Sequence, residues 1–81
     1  MMSPYQSLAN AIIVLACKDY RDELIWLKYH QPITKEDEED FDYRTHLEEK
    51  ENIEEFFSSG FFELLTDLDG DLLLQRIRQE V

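Results

Sequence analysis

The residues best suited to chemistry in this chain lie near its C-terminus, where Asp67-Leu68-Asp69-Gly70-Asp71 looks like half a calcium loop. Such a loop needs oxygen ligands at its first and twelfth positions, the last a bidentate glutamate, around a glycine at position six. With Gly70 at position six, those places fall to Leu65 and Arg76. The segment therefore reads as a turn carrying a helix cap. His30 and His46 are far apart in sequence; Asp42 and Glu49 flank His46 at helical spacing, but this is a weak cluster on neighbouring turns, short of the ligand set and supporting hydrogen bonds that zinc wants. His46 is expected at the edge of the core. Cys17 falls near Ile13, Tyr20 and Leu24 on an apolar side and reads as a small hydrophobe, although Lys18 and Arg21 are close in sequence. Ser58-Ser59-Gly60 lacks the strand and second glycine of a nucleophile elbow, and two glycines in all leave no phosphate loop. The expectation is a protein that is not an enzyme and holds no metal or cofactor.

The elements that must carry these residues are bounded by size and charge. At 81 residues the chain is one domain, 1–81, that buries only about 60% of its unfolded surface. No disulfide can compensate, because Cys17 is the only cysteine. A lone thiol without a signal peptide predicts a reducing, cytoplasmic setting. The longest apolar run, residues 11–17, is far short of the roughly 20 residues that span a bilayer. Nineteen acidic against eight basic residues give a net charge of −11. Residues 31–60 hold eleven of those acids and only three basic residues. A field of that sign opposes phosphate backbones and attracts basic protein surfaces, so direct nucleic-acid binding is not expected.

Apolar periodicity predicts an all-α fold, a compact bundle of two long helices and two shorter C-terminal ones. Ser3, Pro4 and Gln6 form a helix start, and Tyr5, Ala9, Ile12, Ala16, Tyr20, Leu24 and Leu27 recur at helical spacing, giving a first helix over residues 4–30. Pro32 ends it. Thr34 with Asp37 opens a second helix whose early turns hold the acidic run 36–42 and whose apolar side holds His46, Ile53, Phe56 and Phe57. Gly60 is expected to close that helix. A short third helix over 61–65 offers Phe62, Leu64 and Leu65 to the core. Asp69 caps the last helix, in which Leu68 can staple to Leu73 and Leu73, Ile77 and Val81 form the apolar line.

Two surface features remain. On one continuous second helix, Asp37, Asp40, Glu48, Glu51 and Glu55 fall on a single face that only Arg44 interrupts. One reading is a solvated outer face; but like charges at i, i+3 and i, i+4 cost a helix a few tenths of a kcal/mol per pair, and the other reading of a stripe this one-sided is a surface for a basic partner. On the first helix, Val14, Ile25, Tyr29 and Leu15, with Trp26 at the margin, project away from the face centred on Tyr5, Ala9, Ala16 and Leu27. That patch suits either packing under the last helices or an interface with another molecule.

The segments Ala9-Asn10-Ala11-Ile12-Ile13, Lys18-Asp19-Tyr20-Arg21, Ile53-Glu54-Glu55-Phe56-Phe57-Ser58 and Leu65-Thr66-Asp67-Leu68-Asp69-Gly70 together resemble a group of short, uncharacterised proteins of prophages and conjugative elements of Gram-positive bacteria. The resemblance covers most of the chain outside residues 34–50 and carries no assigned activity. Positions 25, 26 and 29 are usually basic in that group, where this chain has Ile25, Trp26 and Tyr29. Charge and resemblance together lead to the expectation of an inhibitor or modulator that occupies the basic surface of a host nucleic-acid-binding protein, as an anti-CRISPR-like protein or DNA mimic would. The alternative is an accessory module that forms a homodimer through the first helix.

Overall fold

The computed structural model describes residues 3–81, and among them every regular element is helical. Helix α1 runs Pro4–Tyr29, α2 Lys35–Glu38, α3 Phe41–Phe57, α4 Gly60–Leu65 and α5 Gly70–Glu80. The start of α1 is a reciprocal capping box: Ser3 Oγ accepts from the Gln6 amide, and Gln6 Oε1 accepts from the Ser3 amide, each at 3.1 Å. Two of the donors that a helix N-terminus leaves unsatisfied are thereby paired.

One long second helix is not what forms. Thr34 and Asp37 do make a capping box, yet the helix they open lasts four residues. At Asp40 the backbone turns extended (φ −59°, ψ 136°), and the carboxylate accepts from the Tyr43 amide at 3.1 Å to cap a new helix, α3. The cause is local. Five consecutive carboxylates, residues 36–40, repel one another within one helical segment, and an aspartate is better placed capping than inside a helix. Gly60 likewise does not close α3. Ser58 ends it and Ser59 caps α4 by accepting from the Phe62 amide, which makes Gly60 the first residue of α4.

Paired contacts define the topology. Tyr20 meets Glu54 and Glu23 meets His46, with numbers rising on α1 as they fall on α3, so these helices are antiparallel. Tyr20 meets Arg78, Arg21 meets Glu80 and Lys28 meets Val81, so α5 runs parallel to α1. Ile13, Tyr20, Phe57, Phe62, Leu74 and Ile77 form the buried cluster, flanked by Ala16, Cys17, Leu24, Ile53, Phe56, Leu65 and Leu73. Leu74, one turn before Ile77, goes deeper than Leu73. Leu64 is 75% exposed and is not a core residue; its carbonyl accepts from the Tyr5 hydroxyl instead. The phenylalanines at 56, 57, 61 and 62 pack edge-on or tilted, with centroids 5.2–6.2 Å apart, and knit α3 to α4.

The fold is elongated. Its extents are 51 × 21 × 17 Å with a radius of gyration of 14.8 Å, whereas a compact chain of this length would have about 12 Å. Three helices laid side by side leave a thin core and a large helical surface. No helix among the described residues is long and apolar enough to cross a membrane.

Candidate interaction surfaces

A polar junction positions the three main helices. The hydroxyl of Tyr20, a fully buried residue, donates to Glu54 Oε2 at 2.8 Å, and Arg78 donates from Nε to that hydroxyl at 2.9 Å and from Nη2 to the same carboxylate at 2.8 Å. Lys50, one turn before Glu54, stands 3.4 Å from it. Burial pushes the Glu54 carboxyl up, but the hydrogen bonds from Tyr20 and Arg78 together with Lys50 outweigh it and hold the group below the usual carboxylate range. Burial, then the acceptor Glu54, raises the Tyr20 phenol above its ordinary value against the pull of Arg78. Sequence periodicity marks Tyr20 as core and places Arg78 at the favourable C-terminal end of the last helix, but assigns no role to Glu54. The only local signal for Glu54 is its spacing from Lys50.

Trp26 is not a free surface residue. Its indole is stacked between His30, 4.0 Å away at 5°, and His46, 3.8 Å away at 18°. His46 is anchored to α1 by Glu23 rather than by Asp42 or Glu49, and the His30 ring is 2.7 Å from the Trp26 carbonyl oxygen. The far end of the α1–α3 hairpin is thus closed by a three-ring stack, and Trp26 is half-buried. His46 is half-buried and links α3 to α1.

The split between α2 and α3 also redistributes the acidic stripe. Asp37 belongs to α2, where its Oδ2 accepts from the Ile33 and Thr34 amides at 3.1 Å; those bonds hold its carboxyl below the ordinary value. Asp37, Asp40 and Asp42 share a shallow concavity with Trp26 and His30. Glu48 and Glu51 line another, with Glu38, Arg44 and Tyr43. Glu55 continues this outer side of α3 toward Ser58. Of the nineteen acidic side chains, Glu23, Glu54 and Glu80 alone stand within ion-pair distance of a basic group among the described residues. The five stripe residues are exposed, but a single helix does not carry them.

The apolar patch divides as well. At about 100° per residue, Val14, Ile25 and Tyr29 share the outer side of α1 with Lys18, whereas Leu15 turns toward α3. Val14 and Tyr29 are open to solvent, Tyr29 at 75%. Leu15, at 58% exposure, forms with Ile12, Ala16, Ile53 and Phe56 a groove along the α1–α3 seam, bounded by Asp19 and Asn52.

The remaining chemistry-bearing residues have structural places. Asp69 Oδ1 accepts from the Leu72 amide as the cap of α5, and Asp71 accepts from the Ser58 hydroxyl at 3.4 Å. Cys17 is half-buried beside the core, where burial raises its thiol pKa despite Arg21 nearby. Among the described residues no three His, Cys, Asp or Glu side chains converge as a metal ion would require. Comparison of the chain with protein-family models, with curated proteins and with solved structures gave no match. Fold and surface define an all-α, acidic protein whose accessible features are charged faces and an apolar groove.

Proposed function

We propose that this chain is a non-catalytic inhibitor or modulator that binds the basic, nucleic-acid-binding surface of a host protein, of the kind encoded by mobile genetic elements. The observation that carries this reading is the shortage of internal counter-charge, since most carboxylates of α2 and α3 face solvent without an ion pair. A solvated face with no partner would gain from mixed signs, because unpaired like charges on one helix oppose its folding. Offered to a cationic groove, the same carboxylates accept from lysines and arginines that otherwise hold phosphates, and the net charge of −11 speeds encounter. An elongated body with acids along its length suits a groove shaped for a polyanion.

The test uses Glu48, Glu51 and Glu55, exposed on α3 and free of capping duty, rather than Asp37 and Asp40, whose loss would unpick helix starts. Immobilised wild type and the E48K/E51K/E55K variant are exposed to nuclease-treated lysate of a Gram-positive bacterium, and retained proteins are challenged with duplex DNA. A nucleic-acid-binding protein held by wild type, lost on the variant and displaced by duplex DNA is the expected result. Retention that is equal on both baits, or indifferent to DNA, would return the acidic faces to the role of solvated surface.

A further inference from the structure

The groove along the α1–α3 seam is a separate surface, and Glu48, Glu51 and Glu55 do not form its floor. Its walls are Ile12 and Leu15 from α1 and Ile53 and Phe56 from α3; Asp19 and Asn52 bound it. Leu8, one turn before Ile12 on the same side of α1, is 62% exposed and extends the apolar strip. Phe61, 56% exposed, continues it from Phe56, with ring centroids 6.2 Å apart. The lining is already tied to the core on its α3 side and at its base, because Ile53, Phe56 and Ala16 pack against the buried cluster. An open groove anchored in this way requires little reorganisation when another chain enters.

The edges indicate what enters. Asp19 stands at the groove itself, Asp22 follows one turn along α1, and Glu49 lies one turn from both Asn52 and Ile53 on α3. None of these three carboxylates pairs with a basic group among the described residues. Among the described residues no lysine or arginine lines the groove. An apolar floor with acidic edges is the complement of an amphipathic helix whose apolar stripe is flanked by lysine or arginine. A second copy of this chain is a poor occupant, since each copy carries −11 and would bring acidic edges to acidic edges.

We infer that the α1–α3 groove is a docking site for a cationic amphipathic helix of a partner protein. Its apolar anchors, at i, i+3 and i+7, enter between Leu15 and Phe56, and its basic flanks reach Asp19, Asp22 and Glu49. The span from Ile12 to Asp19 is about 10 Å of helix rise, which accommodates about two turns of such a ligand.

The probe is a fluorescent synthetic peptide of leucine and lysine, about four turns long, with its leucines on one helical stripe, titrated into the full chain by anisotropy. Its control is a peptide of the same composition with the stripe scrambled. The striped peptide is expected to bind about tenfold or more tightly than the scramble. Leu15→Glu is expected to weaken it by a similar factor even though the change adds a negative charge, and Asp19→Lys to weaken it and flatten its salt dependence. Leu15 is exposed enough that Leu15→Glu leaves the core intact, which circular dichroism checks, and Leu15→Ser gives the same reading with a smaller perturbation. The E48K/E51K/E55K variant is expected to keep most of the peptide affinity, which separates this groove from the acidic outer face. Equal binding of striped and scrambled peptides, or unchanged or tighter binding by Leu15→Glu, would overturn the inference by reducing the attraction to bulk charge. A dimer in sedimentation equilibrium that Leu15→Glu dissociates would also overturn it, because the groove would then belong to a second copy.

Discussion

Gly70 is pressed so closely against Phe57 that a Cβ built on it would lie 2.0 Å from the Phe57 carbonyl oxygen and 3.0 Å from its carbonyl carbon. This contact lets the first turn of α5 abut the end of α3, and it explains the glycine in Asp69-Gly70-Asp71 without any metal. The obstacle is backbone, which cannot rotate aside. Gly70→Ala is therefore expected to cost about 1–3 kcal/mol, read as a lower urea midpoint at unchanged slope. Gly60 is the internal control. Apart from its own helix and chain neighbours, no described residue lies within 4 Å of its would-be Cβ, so Gly60→Ala should leave stability unchanged or raise it by about 0.4–1 kcal/mol.

The Tyr20–Glu54–Arg78 junction predicts an acid-sensitive contribution to stability. Glu54 has its folded pKa held below the unfolded value near 4.3, so its contribution is present above that value and is lost as pH falls through the folded pKa. Acid also relieves repulsion among the unpaired carboxylates, which acts in the opposite direction. The discriminating quantity is thus the difference between wild type and Glu54→Gln. That difference should be about 1–3 kcal/mol near neutrality and should shrink steadily below pH 4. A difference independent of pH would mean that Glu54 acts through packing alone. The Tyr20 phenol has the reverse sign: its folded pKa is raised, so its contribution is full below about pH 10 and is lost as pH rises through the folded value. Tyr20→Phe should remove that alkaline loss.

The stack at the hairpin end makes the single tryptophan a reporter of α1–α3 closure. His46→Ala uncovers one face of Trp26 while leaving His30 on the other. Emission should shift to the red, quenching by acrylamide should rise, and stability should fall by about 0.5–1.5 kcal/mol. An unchanged spectrum would mean that the stack does not persist in solution.

Glu55 lies in the last turn of α3, where the helix dipole favours a cation and where there is no basic residue. Glu55→Lys should raise the thermal midpoint, with a gain of about 0.3–1 kcal/mol at low salt that fades as ionic strength increases. If Glu55 belongs to the proposed binding face, the same change should lower partner affinity. A stabilised variant that binds less well would be the signature of charge retained for contact rather than for folding.

Much of this protein was legible in the sequence because the signals are local. The Ser3–Gln6 capping box, the Thr34–Asp37 pair, the Asp69 cap and the helical spacing of Ala9, Ile12, Ala16 and Tyr20 depend on residues within a turn or two of each other, and such short-range chemistry sets helix starts and faces, although it is Ile13 beside Ile12 that the core buries. The all-α class followed from it. Whether helices α2 and α3 would be one depended on a closer contest, in which Asp40 serves better as a cap than as an interior residue of a carboxylate run. Tertiary structure alone decided the rest. Trp26 stands at the margin of the outward patch on an isolated helix wheel, which contains no His46, and Leu15 joined a groove only when Ile53 and Phe56 came alongside. Glu54 acquired its role from Tyr20, thirty-four positions away, and Arg78, twenty-four positions away. A carboxylate's partners across helices depend on how the helices cross and in what register, and no spacing along one helix encodes that.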